Sequence, residues 1–233
     1  TKKITIPEGS TYKEIAQILS REISFSDSAF INKINDKSLL DSLNIEAESF
    51  EGYLFPDTYK FFPEATPEET IVKMVNNLFE KIDGKIMKEI EDSRWNLHKF
   101  LTLASIVEGE CIYDEERPIV ASLYYNRLDT IMHLNADPTI QYIVPGKPKR
   151  LLDKPLEIES PSNTYQNYGL PQGPVNNPGL KSIEAAVFPA NTDYLYMVAK
   201  GDGKHAFTKD YNEFLKHKRN FQEIRRRVQA NNK

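Results

Sequence analysis

The sequence predicts an α+β fold: a small α/β module at the start, then a mainly helical domain with short strands and long loops. Three observations carry that expectation. Apolar residues recur at helical spacing in most of the segments between residues 11 and 128 and again near the end. Only short strand-like runs stand beside them, Lys3-Ile4-Thr5-Ile6 at the start and Tyr194-Leu195-Tyr196-Met197-Val198-Ala199 near the end. Residues 144–181 form a long stretch rich in proline and glycine, and irregular stretches of that length in compact proteins tend to carry function.

Each element has a local reason. After the first strand, Pro7-Glu8-Gly9 turns the chain, and Thr11 with Glu14 makes a capping box that opens a helix with the apolar face Ile15, Ala16, Ile18 and Leu19. Ser26 or Asp27 caps a second short helix through Phe30, Ile31 and Ile34; a third surrounds Leu39, Leu40 and Leu43. Residues 49–59, dense in aromatics and broken by Gly52 and Pro56, read as an extended segment joining two units. Thr66, Pro67 and Glu69 start a longer helix through Ile82, with Gly84 ending or breaking it. Residues 100–110 hold apolar side chains almost all round and read as a buried helix. Ile119, Val120, Leu123, Tyr124 and Leu128 give the next one, and Asp137 before Pro138 most simply caps a short one. A turn or two of helix at 182–187, a hairpin about Gly201-Asp202-Gly203 and a last helix capped by Thr208 or Asp210 close the chain. The units divide as 1–48 for the first module, 49–95 for the linking segment and helix, and 96–233 for the main domain.

The totals exclude several classes. With 233 residues and 39% hydrophobic content the chain can bury a sizeable core. A net charge of −4 offers no basic surplus for nucleic acid. The single cysteine, Cys111, cannot form an internal disulfide and reads as a packed thiol. Four scattered histidines give no metal spacing, and no cofactor motif is present. No apolar run approaches the ~20 residues of a membrane span. The chain starts at Thr1 without a signal peptide, so a trimmed fragment is expected.

Chemistry concentrates at Glu108, delivered near the end of the buried helix over small Ala104 and Ser105. Burial raises a carboxyl pKa, which suits a general acid at neutral pH. The plain alternative is an ion pair with an arginine such as Arg117 or Arg127. Glu110, two residues on, points well away from Glu108 and reads as structural or as a groove-edge residue.

Taken together, Ala104-Ser105-Ile106-Val107-Glu108-x-Glu110, Val120-Ala121-Ser122-x-x-Tyr125-Asn126-Arg127-Leu128, Asp137-Pro138-Thr139-Ile140-Gln141-Tyr142, Asn163-Thr164-Tyr165, Gly169-Leu170-Pro171-x-Gly173-Pro174, Asn177-Pro178-Gly179 and His205-x-Phe207 follow in order. This string resembles the MltG, or YceG-like, family of endolytic murein transglycosylases. Glu51-Gly52-Tyr53-Leu54-Phe55-Pro56-Asp57-Thr58-Tyr59 is similar to the family's signature upstream of its catalytic domain. Gly109, Cys111, Ser162 and Gln172 depart from the family pattern.

The resemblance implies a bacterial enzyme anchored in the cytoplasmic membrane and facing outward, with peptidoglycan glycan strands as substrate and peptidoglycan synthases as partners. It implies cleavage between N-acetylmuramic acid and N-acetylglucosamine, leaving a 1,6-anhydro end, and a LysM-like first module. Glu108 matches the catalytic Glu; Asn126, Asp137, Thr139, Gln141, Asn163, Thr164, Tyr165, Glu51 and Tyr53 would bind substrate. No metal or cofactor is implied. One carboxyl can serve as acid and then as base, so no second carboxylate is required. Two other readings stay open: a hydrolase using water and Glu110, Asp137 or Glu51 as second carboxylate, and a non-catalytic glycan-binding scaffold with a salt-bridged or exposed Glu108.

Overall fold

The computed structural model describes residues 1–144 and 157–231, with side chains to residue 227. The part of the proline- and glycine-rich stretch between them lies outside the described residues.

Strand β1 (Lys2–Thr5) pairs antiparallel with β2 (Thr58–Phe61), Lys2 opposite Phe61 and Thr5 opposite Thr58. Between them lie α1 (Tyr12–Ser20), α2 (Asp27–Ile31) and α3 (Lys37–Ser42). The Thr11–Glu14 capping box is formed at α1, Ser26 caps α2, and Asp36 caps α3. The strand that closes the sheet of the first module, residues 58–61, lies in the segment read from sequence as a linker. The alternation of exposed Thr58 and Lys60 with buried Tyr59 and Phe61 is a strand pattern, hidden in sequence behind Pro56 and the aromatic run.

Helix α4 (Pro67–Lys81) opens on the Thr66–Glu69 box. Gly84 does not end it. Ile82 closes α4, and Gly84 is instead the first residue of α5 (Gly84–Asp92), because the Asp83 carboxylate accepts the Lys85 and Ile86 N–H groups and starts a new helix. Helix α6 (Leu97–Glu110) is buried without interruption from Phe100 to Val107. It is flanked by α7 (Arg117–Asp129), α8 (Asp137–Ile143) and α9 (Leu180–Val187). A hairpin of β3 (Tyr196–Ala199) and β4 (His205–Thr208) and the last helix, α10 (Tyr211–Asn231), complete the α+β fold. Asp210 caps α10 by accepting the Glu213 N–H at 2.8 Å.

One hydrophobic cluster extends from Ile4 to Val187, and Leu101, Leu103, Ala104, Ile106 and Val107 of α6 are fully enclosed in it. That enclosure fixes α6 and so fixes where its C-terminal carboxylates stand. The expectation that Asp137 caps α8 is corrected: Ala136 occupies the cap without a side-chain bond, and Asp137 is the first helical residue. The Thr139 hydroxyl bonds Ala136 O at 2.7 Å, leaving the Asp137 carboxylate to take the Tyr165 hydroxyl at 2.5 Å. Among the described residues no helix is long and apolar enough to cross a membrane.

Candidate active site

Helix α6 ends on Glu108, Gly109 and Glu110. Two residues apart on a helix, the two carboxylates face different sides, and their surroundings differ in kind.

Glu108 is enclosed; its side chain and that of Arg117 are each only 7% exposed. Its Oε1 lies 3.3 Å from Arg117 Nη1, and its Oε2 accepts the Ser182 hydroxyl at 2.8 Å and the Gly179 N–H at 3.0 Å. Arg117 is held in turn by Asp114, 3.0 Å from Nε, and by the Ser182 hydroxyl at 2.5 Å. This is not the apolar pocket expected for a general acid. It is the ion pair that was the plain alternative, with a permanent positive charge and two donors on the carboxylate. The first module reaches this point too. A Cβ on Gly9 would sit 3.5 Å from Glu108 Cγ, and a Cβ on Gly179 would overlap the Glu8 carboxylate. Burial and the charge of Glu108 push the Glu8 carboxyl upward.

Glu110 is half-buried and meets a different set of groups. Its Oε1 accepts the Tyr124 hydroxyl at 3.0 Å. Burial first, and then the charge of Asp137, push its carboxyl up to about 7; the Tyr124 hydroxyl, the Asp137 N–H and the charge of Arg127 pull the other way. A carboxyl near 7 is poised to give and take a proton at neutral pH. Asp137 itself is exposed and bonded to Tyr165. A groove of about 480 Å³ passes beside the helix end, lined by Lys13 and Gln17 of α1, Gln141 and Tyr142 of α8, and Gly109 and Asn176. Gly109 is required there: a Cβ would come within 2.5 Å of Pro138 Cγ. Among the described residues no group of His, Cys, Asp or Glu is arranged to hold a metal.

Residues 1–220 match the YceG-like family. The chain belongs to that family. The endolytic murein transglycosylase of Bacillus subtilis (strain 168) is 36% identical to it over 233 residues, covering 94% of this chain and 65% of the relative. That of Streptococcus pneumoniae serotype 2 (strain D39) is 32% identical over 222 residues, covering 84% of this chain and 40% of the relative. The chain thus spans less than two thirds of the length of either. The crystal structure of a YceG-like protein from Listeria monocytogenes matches the fold with a TM-score of 0.85 at 34% identity, covering 93% of this chain and 76% of that one.

In this YceG-like chain the residues singled out from sequence separate into two groups. Gln141 is exposed on the groove, and Asp137 and Tyr165 form a pair beside Glu110. The others are internal. Thr139 and Thr164 are fully buried and share a 2.9 Å hydroxyl bond, and the Thr164 hydroxyl also accepts the Ala136 N–H. Asn163 is buried, donating to Ile158 O and accepting the Tyr165 N–H. Asn126 donates to Thr192 O and Tyr194 O, stapling α7 to the segment before β3. Tyr53 is enclosed against His98, its hydroxyl 3.0 Å from Nδ1. Glu51 is 1% exposed and fully engaged by protein groups. In this structure the side chains of these six are engaged by protein partners, five of them buried and Asn126 half-buried. Ser182 and Tyr124 were passed over, since their contacts appear only when α7 and α9 close on α6; Arg117 was named as one of two possible partners of Glu108, and Glu110 as a structural or groove-edge residue or a second carboxylate. His205 is hydrogen-bonded as a packed imidazole, its Nδ1 2.8 Å from Glu116, and the buried Cys111 thiol is pushed up to about 12, mainly by burial.

Proposed function

We propose that this chain is the catalytic portion of an endolytic peptidoglycan lytic transglycosylase, with Glu110 as its acid and base. What supports Glu110 is its place at the end of a rigid helix, partly uncovered, with the Tyr124 hydroxyl on Oε1 and the Asp137–Tyr165 pair beside it, and a carboxyl that burial raises; Glu108, which the family likeness implies, is the competing assignment. The protonated Glu110 donates its proton to the glycosidic oxygen as the bond to C1 of N-acetylmuramic acid breaks. The N-acetylglucosamine side leaves as an alcohol, and the ring carries oxocarbenium character. The carboxylate then takes the proton of the sugar's own C6 hydroxyl, whose oxygen bonds C1 to give the 1,6-anhydro end. The proton is returned and no water is consumed. Asp137, exposed and negative, is suited to oppose the positive charge that develops on the ring. Glu108, the carboxylate favoured from sequence, is assigned here to holding Arg117, Ser182 and the Gly179 turn. The family likeness extends this reading to a LysM-like first module, an outward-facing position held by a membrane anchor, and synthases as partners.

A second reading rests on Asp137, whose charge is felt at Glu110: with water in place of the C6 hydroxyl, the pair would hydrolyse the strand. Mass spectrometry of fragments released from purified peptidoglycan distinguishes these. Anhydro ends from the wild type that vanish with Glu110→Gln and persist with Glu108→Gln are the expected result. Reducing ends would establish hydrolysis. Loss with Glu108→Gln and activity with Glu110→Gln would return the acid to Glu108. Binding without cleavage would leave a scaffold.

A further inference from the structure

Helix α7 carries two buried arginines, and they are held in opposite ways. Arg117, 5% exposed, meets the carboxylates of Glu108 and Asp114 at 3.3 and 3.0 Å. Arg127, 7% exposed, forms no ion pair among the described residues. Its Nε donates to Leu195 O at 2.7 Å and its Nη1 to Leu134 O at 2.5 Å. Carbonyl dipoles solvate a guanidinium without cancelling its charge, and a buried charge lacking a counter-ion is costly. The groups that feel this charge lie toward the end of α6: it favours the anion of Glu110 and acts in the same sense on the phenols of Tyr124 and Tyr165. Asp137, whose Oδ1 takes the Tyr165 hydroxyl, acts on Glu110 in the opposite sense and more strongly. The bond to Leu134 O also ties Arg127 to the chain that enters α8. Leu134 stands three residues before Asp137, and between them the Asn135 and Ala136 N–H groups are held by Thr164 at 3.2 and 3.0 Å.

We propose that Arg127 is a positioning residue for Glu110 and Asp137: it holds the chain that places Asp137, and its buried charge is balanced by the two carboxyls together, so that the resting pair keeps one negative charge and one proton. The catalytic consequence rests on the function proposed above; the balance of Arg127 against the pair does not. The titratable and charged groups facing Glu110 are Tyr124 and Arg127 of α7, Asp137 of α8, Tyr165 of the following loop, and Cys111 beside it in the chain. Arg127 is the one cation among them. With Asp137 ionised and Glu110 protonated, the cluster is neutral. Either carboxyl can carry the negative charge, so removing one leaves the other to balance Arg127, and removing both leaves the guanidinium buried alone. When Glu110 gives its proton to the glycosidic oxygen, the cluster gains a negative charge as the sugar ring gains a positive one.

Two variants separate charge from hydrogen bonding. Arg127→Lys keeps the charge and gives up the two-donor fork; Arg127→Gln gives up the charge and keeps an amide donor. The first readout is the carbon-13 titration of the Glu110 carboxyl, assigned by its loss in Glu110→Gln, which needs no turnover. The second is the alkaline limb of kcat for glycan strands. Arg127→Gln moves both to higher pH by about half a unit, roughly a threefold change in the ratio of neutral to charged carboxyl, and Arg127→Lys moves them much less. Arg127→Gln combined with Asp137→Asn titrates between the two single variants. The third readout leaves Arg127 in place. At pH 7, Glu110→Gln with Asp137→Asn lowers Tm by more than the sum of the single losses, and adding Arg127→Gln recovers part of it. Equal displacement by Arg127→Lys and Arg127→Gln, no displacement by Arg127→Gln, or additive Tm losses in the paired carboxyl variant would overturn the proposal. A wild type that cleaves no glycan at any pH would defeat the proposed function alone, and the titration and melting would still decide the role of Arg127.

Discussion

The two sides of the end of α6 make opposite uses of the same residue type. On one side, Glu108 meets a guanidinium, a hydroxyl and a backbone N–H, all donors, one of them permanently charged. On the other, Glu110 meets the Tyr124 hydroxyl, the Asp137 N–H, the negative charge of Asp137 and the more distant positive charge of Arg127, and it is half-open. The first arrangement makes a strut between α6, α7 and α9. The second makes a group that can exchange a proton. Both carboxylates are covered by protein; what separates them is direct contact with a guanidinium, which Glu108 has and Glu110, among the described residues, does not.

The largest expected effect is the split between the two carboxamide variants. Glu110→Gln should lower the cleavage rate by roughly 10²–10⁴-fold, the usual contribution of a general acid and base. Glu108→Gln should retain cleavage within about tenfold and instead melt earlier, because it leaves buried Arg117 with only the exposed Asp114 as a charge partner. Next is Arg117→Met, which strands the Glu108 carboxylate. Breaking a buried pair in this way costs about 3–5 kcal/mol, read by thermal or urea denaturation, and the double variant Glu108→Gln with Arg117→Met should regain part of it. Full additivity would mean that the two groups do not act as a pair. Smaller again is Gly109→Ala. Relief of the glycine penalty offers ~1 kcal/mol, but overlap with Pro138 costs about 1–3 kcal/mol. The net loss should appear as a lower Tm together with a raised KM, since α8 must shift away from the groove.

The contrast between the two carboxylates was only half legible in the sequence. Helix α6, both capping boxes and the hairpin follow from local chemistry, and the structure forms them where spacing and caps put them. Strand β2 was lost because strand pairing is a long-range fact: Thr58 to Phe61 make sense only once Lys2 to Thr5 lie beside them. Asp137 was misread as a cap because an Asp before a Pro looks the same whether it stands just outside a helix or at its first turn. Glu110 was read as structural or as a groove-edge residue because it faces away from Glu108, the carboxylate that the family likeness implies. Nothing in the local sequence tells that Arg117 turns toward Glu108 while Arg127 donates to the Leu195 carbonyl. Half-buried Asn126 and buried Asn163, Thr139 and Thr164 drew notice for the same reason substrate-binding residues do, because polar groups at fixed spacing serve either ligands or the internal hydrogen bonds of long loops.

The finest test of the contrast changes only the neighbours of Glu110. Its carboxyl stands at about 7 against an ordinary 4.5. The folded state therefore holds this proton more tightly than the unfolded chain. The associated stability is fully present below about 4.5 and is lost as pH rises through 7. As the general acid it must be protonated, so the cleavage rate should fall along an alkaline limb near that value. Tyr124→Phe removes a donor that favours the carboxylate, so the limb should move to higher pH. Asp137→Asn removes the like charge, so the limb should move to lower pH. Each shift is expected to be about one unit or less, since burial is the leading cause and neither substitution changes it. Opposite displacements in the two kcat profiles would fix the titrating group as Glu110. Displacement of both in the same direction, or of neither, would mean that the limb belongs to another group and that the proton is carried elsewhere.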